Sequence, residues 1–188
     1  MGFTRAELES FRDAVIPDLV APGCRLLFVG INPGLWTAAT GAHFARPGNR
    51  FYPALFRAGI VDRLIDASSG MSDADRDHLL ERGVGITNLA PRATARADEL
   101  TDEELREGGR HLAKVVAEFR PRAVAVAGIT AYRAAFGRRK AKAGRQDDTI
   151  GDVPLWVVPN PSGLNAHDTV DSLARAYAEP ARAAGIVP

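Results

Sequence analysis

Arg25-Leu-Leu-Phe-Val-Gly-Ile-Asn-Pro-Gly-Leu35 decides the fold. Its first six residues are an apolar run closed by glycine, the pattern of a short strand buried on both faces. The Asn-Pro-Gly that follows ends the strand abruptly, because proline has no N–H for a sheet and Asn and Gly favour turns. Three more runs share the pattern: Gly83-Val-Gly-Ile86, Ala123-Val-Ala-Val-Ala127 and Pro154-Leu-Trp-Val-Val158. Helical patterns separate them, over Thr4 to Val15, from near Asn49 to Ala58, over Ser72 to Glu81, from Thr101 to about Phe119, over Thr130 to Phe136 and over Thr169 to Ala178. Ser72 is an N-cap followed by first-turn acids, and Thr101-Asp-Glu-Glu104 is a capping box. Strands alternating with helices imply a mostly parallel sheet covered on both faces, an α/β fold. Arg138 to Asp148 reads as one long polar connection, either a solvated loop or a contact for phosphate.

The chain has 188 residues, 46% hydrophobic and 25% charged, which suits one domain with a substantial core. Residues 1–23 are expected to form a helical N-terminal extension of that single domain, 1–188. The opening Met1-Gly-Phe-Thr-Arg-Ala-Glu7 reads as a charged helix start and not as a secretory leader, and no apolar run reaches the length of a membrane span. Cys24 is the only cysteine, so neither an intramolecular disulfide nor a four-cysteine metal or iron–sulfur site can form, and a reducing cytoplasm is expected. The net charge of +1 cannot draw the whole molecule to a polyanion, so any nucleic-acid contact must use local charge. Nearly all cations are arginines, with Arg46, Arg50, Arg92 and the basic connection as candidate phosphate contacts; base composition of the genome explains the bias equally well.

Open α/β sheets bind ligands beyond the carboxyl ends of their strands. Those ends read Ile31-Asn-Pro-Gly-Leu35, Thr87-Asn-Leu-Ala-Pro-Arg-Ala-Thr94, Gly128-Ile-Thr130 and Pro159-Asn-Pro-Ser-Gly-Leu-Asn165. Three of the four carry a neutral amide, as Asn32, Asn88 and Asn160. Amides converging on one edge suit a pocket for a polar, uncharged ring. Other chemistries lack their signatures. There is no phosphate-binding G-x-x-x-x-G-K-[ST] loop, Ser162 is not in a G-x-S-x-G elbow, and His43, His78, His111 and His167 have no metal-ligand spacing.

Gly30-Ile-Asn-Pro-Gly-Leu35 and Asn160-Pro-Ser-Gly-Leu-Asn165 resemble the two signature loops of the mismatch-specific uracil-DNA glycosylases and thymine-DNA glycosylases. The resemblance extends through Thr40-Gly-Ala-His-Phe-Ala-Arg-Pro-Gly-Asn-Arg-Phe51, Gly85-Ile-Thr-Asn-Leu-Ala90 and Arg106-Glu-Gly-Gly-Arg110. It implies a three-layer α/β/α sandwich with a short, mainly parallel central sheet. It also implies a monofunctional, cofactor-free, metal-free enzyme that removes uracil or related mispaired or damaged bases from double-stranded DNA, preferably opposite guanine, and works as a monomer. Asn32 matches the catalytic position that places the attacking water. Ile31, Phe44, Asn88, Thr94 and Asn160 match the base pocket. Gly163, Leu164 and Asn165 match the wedge that replaces the extruded base and contacts its partner. His43, Trp36 and Asp98 are accessory candidates: Trp36 as a bulky ring reshaping the pocket, Asp98 as a supplementary base or a plain surface acid. For Asn88 a strand-end cap and for Leu164 a loop residue folded onto the core remain the alternatives. A non-catalytic nucleic-acid or nucleotide binder on the same fold is the second functional reading; a small-molecule hydrolase lacks a nucleophile–base pair.

Overall fold

The computed structural model describes residues 2–188, which leaves Met1 of the N-terminal extension outside the described residues. Five strands form one sheet: β1 (Leu26–Gly30), β2 (Val84–Asn88), β3 (Ala123–Ala127), β4 (Gly144–Ile150) and β5 (Val153–Val158). Their spatial order is β2-β1-β3-β5-β4, parallel throughout except for the antiparallel β4–β5 pair. The helices are α1 (Arg5–Glu9), α2 (Leu35–Thr40), α3 (Phe51–Arg57), α4 (Asp73–Glu81), α5 (Asp102–Phe119), α6 (Ile129–Phe136) and α7 (Val170–Ala183). A single 3-10 turn, Ala97–Glu99, precedes α5.

The alternation of the strands builds two cores. Leu26, Phe28, Val84, Ile86, Ala123, Ala125 and Trp156 face α3, α4 and α7, against Phe51, Leu55, Leu79, Leu173 and Tyr177. Leu27, Val29, Val124, Val126, Leu155 and Val157 face α5 and α6, against Leu112, Val116 and Tyr132. Successive side chains leave a strand on opposite faces. Hence Gly30, Asn88, Ala127 and Asn160 each continue the row that faces α3 and α7 at the carboxyl ends of their strands, Ala127 still within the core. Gly30 and Asn88 are direct partners in the β1–β2 register. On the other face, Gly108 lets α5 seat tightly: a Cβ there would fall 2.3 Å from the carbonyl oxygen of Leu89, in the loop leaving β2.

The caps expected at Ser72 and Thr101 form, with Ser72 Oγ accepting from the Asp75 N–H at 3.1 Å and both bonds of the Thr101–Glu104 box present. Three expectations need correction. The polar connection Arg138 to Asp148 is not a loop throughout, because Gly144–Ile150 forms β4, an edge strand. Its alternation is polar on both faces until Ile150, so no hydrophobic period betrays it, and its charges suit an edge that must resist further pairing. The N-terminal helix does not reach Val15: α1 ends at Glu9, Asp13 adopts a left-handed φ of 64°, and the chain turns extended. Pro17 excludes a helix there. The segment instead runs antiparallel to β2, with Leu19 and Ile86 exchanging backbone hydrogen bonds of 3.0 and 2.7 Å and Ala93 bonded to Asp13 and Ala14. This strap covers the outer edge of β2. Finally, α7 runs past Ala178 through Pro180 to Ala183. Among the described residues no helix is long and apolar enough to cross a membrane.

Candidate active site

The carboxyl ends of β1, β2, β3 and β5 open into a cavity of about 370 Å³. Gly30, Ile31, Asn32, Phe44, Asn88, Thr94, Asn160 and Leu164 all line it. A larger hollow of about 580 Å³ lies behind Asn88, between the strap and α5. Three of its four acids, Glu103, Glu104 and Glu107, are engaged by Arg92, Arg106 and Arg110, and Asn88 is the one strand-end amide it shares. The converging amides therefore assign the chemistry to the smaller cavity.

Asn32 is fixed by hydrogen-bond logic. Its Nδ2 donates to the Arg92 carbonyl at 2.9 Å and to Thr94 Oγ1 at 2.8 Å. The Thr94 hydroxyl spends its own proton on the Arg96 carbonyl at 2.7 Å. Both neighbours of the amide are thus acceptors, so the nitrogen must point at them and the oxygen must point away. Oδ1 has no protein donor among the described residues and is not buried. A carboxamide oxygen is left facing the cavity as an anchored acceptor.

Asn160 shows the opposite arrangement. Its Oδ1 accepts from the Ser162 N–H at 3.0 Å, which leaves Nδ2 as the free end at the cavity. Phe44 is one of three non-glycine residues with positive φ among the described residues, at 55°. Its ring stacks on Phe51 with centroids 4.1 Å apart, and it lines the cavity with the rest of its surface. A left-handed phenylalanine costs about 1–2 kcal/mol. It persists here because Phe51 supports the ring and Tyr52 Oη grips the neighbouring carbonyl of His43 at 2.8 Å.

The family model described as the uracil DNA glycosylase superfamily matches residues 17–180. This chain belongs to that superfamily. A solution structure of a candidate uracil DNA glycosylase from Methanosarcina acetivorans is similar, with a TM-score of 0.60 at 16% identity, covering 90% of this chain and 96% of that one. At that identity the likeness carries the fold alone. It agrees with the α/β/α arrangement and the mainly parallel sheet described above.

In this superfamily member the remaining candidates divide. Leu164 stands 75% exposed at the cavity mouth, so it is not folded onto the core. Asn165 does not face the cavity: its Nδ2 donates to the Asn160 carbonyl and to Asp168, and its Oδ1 accepts from the His167 N–H. Gly163 docks its loop, since a Cβ there would lie 2.8 Å from the Gly48 carbonyl oxygen. Trp36 does not reshape the cavity, because it turns away to donate to the Ser68 carbonyl at 2.8 Å and meet Phe3 edge-on; Thr37, its neighbour on α2, lines the cavity instead. Asp98 sits at the rim, highly exposed and paired with Arg96 at 3.0 Å, as a surface acid does. Arg50 and Arg92 are not free cations. Arg50 holds the carbonyls of Asn165 and Asp168. Arg92 bonds both oxygens of Glu104, Asp13 at 3.0 Å and the Glu99 carbonyl. Arg46 lines the cavity and is exposed. Thr37 and Asn49 also line the cavity without having been singled out from the sequence; α2 places the first and the return of the chain after α2 the second, and no strand end marks either. Among the described residues no group of three or more His, Cys, Asp or Glu is placed to hold a metal.

Two predictions arise from these contacts. Arg92 anchors Asn32 through its carbonyl while its side chain is clamped by Glu104, whose carboxyl that guanidinium holds down from 4.5 to about 2. A carboxylate with a depressed folded value stabilises above its unfolded value and loses that contribution as pH falls through the folded one. Thermal melts should therefore show a smaller acid-dependent loss between pH 4.5 and about 2 for Glu104→Gln than for the unaltered chain, the remainder coming from Glu7, Asp66, Glu99 and Glu103, whose carboxyls are also held low. An identical pH dependence in both proteins would show that the clamp contributes nothing. The second concerns Gly30. A Cβ there would lie 2.5 Å from Asn88 Oδ1 and 3.4 Å from Phe44 Cζ, inside the cavity. Gly30→Ala should lower kcat/KM for base excision about tenfold or more, with the loss in KM as well as kcat, while DNA affinity measured on an abasic duplex stays within about twofold.

Proposed function

We propose that this chain is a monofunctional DNA glycosylase. It flips uracil or a related mispaired or damaged base out of double-stranded DNA, preferably opposite guanine, and hydrolyses its N-glycosidic bond. The observation that carries the reading is Asn32, whose two N–H groups are committed to Arg92 and Thr94 so that Oδ1 is presented to the cavity.

The chemistry follows from that geometry. A flipped base enters between Phe44 and the strand-end amides, stacking on the ring. Asn32 Oδ1 accepts a hydrogen bond from a water and holds it against the sugar carbon. As the bond to the ring nitrogen breaks, its electron pair leaves with the base and the sugar gains oxocarbenium character. The water oxygen then bonds that carbon and releases its proton to solvent or to the departing ring. An amide is no base, so placement of the water supplies the acceleration and the leaving ability of the base sets the rate. Asn160 Nδ2 and backbone N–H groups near Ile31 and Phe44 serve as donors to the negative charge growing on the ring. Leu164 fills the vacated stack, and Arg46 takes a phosphate. The described chain acts as one domain and one protomer.

Incubation with a duplex holding one U·G pair, followed by hot alkali, tests the reading. Strand breaks at the uracil are expected; an intact strand after prolonged single-turnover incubation leaves only a binder. None of Lys114, Lys140 and Lys142 lines the cavity, so no lysine amine is placed to form a Schiff base. Borohydride should accordingly trap no covalent enzyme–DNA adduct, and a trapped adduct would overturn the hydrolytic mechanism.

A further inference from the structure

His43 is 5% exposed, in the turn between α2 and Phe44. Its Nε2 lies 3.0 Å from the carbonyl oxygen of Pro17, on the N-terminal strap. A carbonyl only accepts, so Nε2 carries the proton. Burial pushes the ring pKa down and outweighs the Pro17 hydrogen bond and Asp18, which raise it, while Arg76 adds to the lowering, so the imidazole is neutral and Nδ1 keeps a lone pair. Asn88 Nδ2 lies 3.5 Å from that Nδ1. The lone pair selects the N–H end of the Asn88 amide and turns Oδ1 the other way, over Gly30 beside the Phe44 ring. The strap itself is immobilised by the paired Leu19–Ile86 hydrogen bonds.

We infer that His43, held in its Nε2–H form by Pro17, is the positioning residue that orients Asn88, and so makes the cavity select bases with a ring N–H over bases with a bare ring nitrogen. The inference rests on the glycosylase reading above. An amide oxygen pairs with the imide N–H of uracil and repels the unprotonated ring nitrogen of cytosine. A freely turning amide offers both and discriminates less. The strap thereby belongs to the specificity of the site, through a chain of contacts that runs from Pro17 to His43 to Asn88.

The full chain, His43→Leu and His43→Asn are compared in single turnover on duplexes holding 5-fluorouracil or 5-fluorocytosine opposite guanine; the fluorine improves both leaving groups. His43→Leu should reduce the ratio of fluorouracil to fluorocytosine excision about tenfold, mostly through slower fluorouracil release. Asparagine puts an acceptor near the position of Nδ1, so His43→Asn should recover most of the ratio. A purely structural role lowers both substrates equally and leaves the ratio unchanged, which would overturn the inference, as would a folded His43→Asn no more selective than His43→Leu. Nitrogen NMR of the wild-type imidazole reads the arrangement without any turnover. A neutral ring protonated at Nε2 is expected, and protonation at Nδ1 overturns the proposal even if a variant fails to fold. Absence of excision by the wild type, with the expected ring form, counts instead against the glycosylase reading.

Discussion

Asn32→Ala is expected to lower the single-turnover rate of uracil release from a U·G duplex by about 10²–10³, with affinity for the same duplex within about threefold. The truncation removes the anchored Oδ1 and with it the position of the water, but it leaves the stacking ring, the wedge and the rim cation untouched. The expectation extends to Asn32→Asp, although a carboxylate is a far better base than an amide. The surroundings argue otherwise. A carboxylate cannot donate to the Arg92 carbonyl, and it competes with the Arg96 carbonyl for the one proton of Thr94. Acceptors set against acceptors cost about 1–3 kcal/mol each when partly buried. Asn32→Asp should therefore stay well below the wild type, and Asn32→Asp with activity at or above wild type would sink the placement mechanism in favour of one limited by basicity. The neutral amide is thus built into this loop by its neighbours. Arg92 matters through its carbonyl, and the ion pairs with Glu104 and Asp13 keep that carbonyl in place.

The parts of this site legible in the sequence are those that follow from strand period. Once the runs ending at Gly30, Ile86, Ala127 and Val158 are read as parallel strands, two-residue alternation puts Gly30, Asn88, Ala127 and Asn160 on one face at one end, and the Asn-Pro loops can only lie there. What escaped depends on long-range partners or on weak local signals. Arg92 looks like a free cation until Asp13 and Glu104 are brought to it from opposite directions in the chain. Trp36 follows the first loop by only two residues, yet α2 begins at Leu35 and its helical turn swings the indole towards Ser68. The strap is extended because a bare edge of β2 offers pairing to it, which no local propensity records. For β4 the reason is composition: Arg145, Gln146, Asp147 and Asp148 alternate between exposed and half-buried, with nothing apolar to mark the period. His43 stands out in the sequence as an accessory candidate without a stated role; its link to Asn88 needs the turn after α2 and the strap together.

Leu164→Ala should separate flipping from chemistry. An exposed leucine on a mobile loop would fold back onto apolar surface, but this one is held out. Its own N–H donates to Ser162 Oγ at 3.2 Å, Asn165 clamps Asn160 and Asp168 on the next turn of chain, and Arg50 ties the loop to the start of α3. A rigid support for an apolar tip suits insertion between bases, because little entropy is lost when the tip enters. Truncation to alanine removes about three carbons from that slot, worth ~2–3 kcal/mol, or about 30- to 150-fold in excision from duplex. Single-stranded DNA needs no plug, so uracil release from it should change by less than about threefold. The thermal midpoint should not move, since the side chain contributes no core contact. Comparable losses on duplex and single strand would place Leu164 in the chemical step or in general DNA binding and remove it as the wedge. If the split is observed, the tether at Asn165 acquires a test of its own. Asn165→Ala leaves the leucine in place but frees its support, and it should reproduce part of the duplex-specific defect, because the entropy of ordering the tip must then be overcome at every flip.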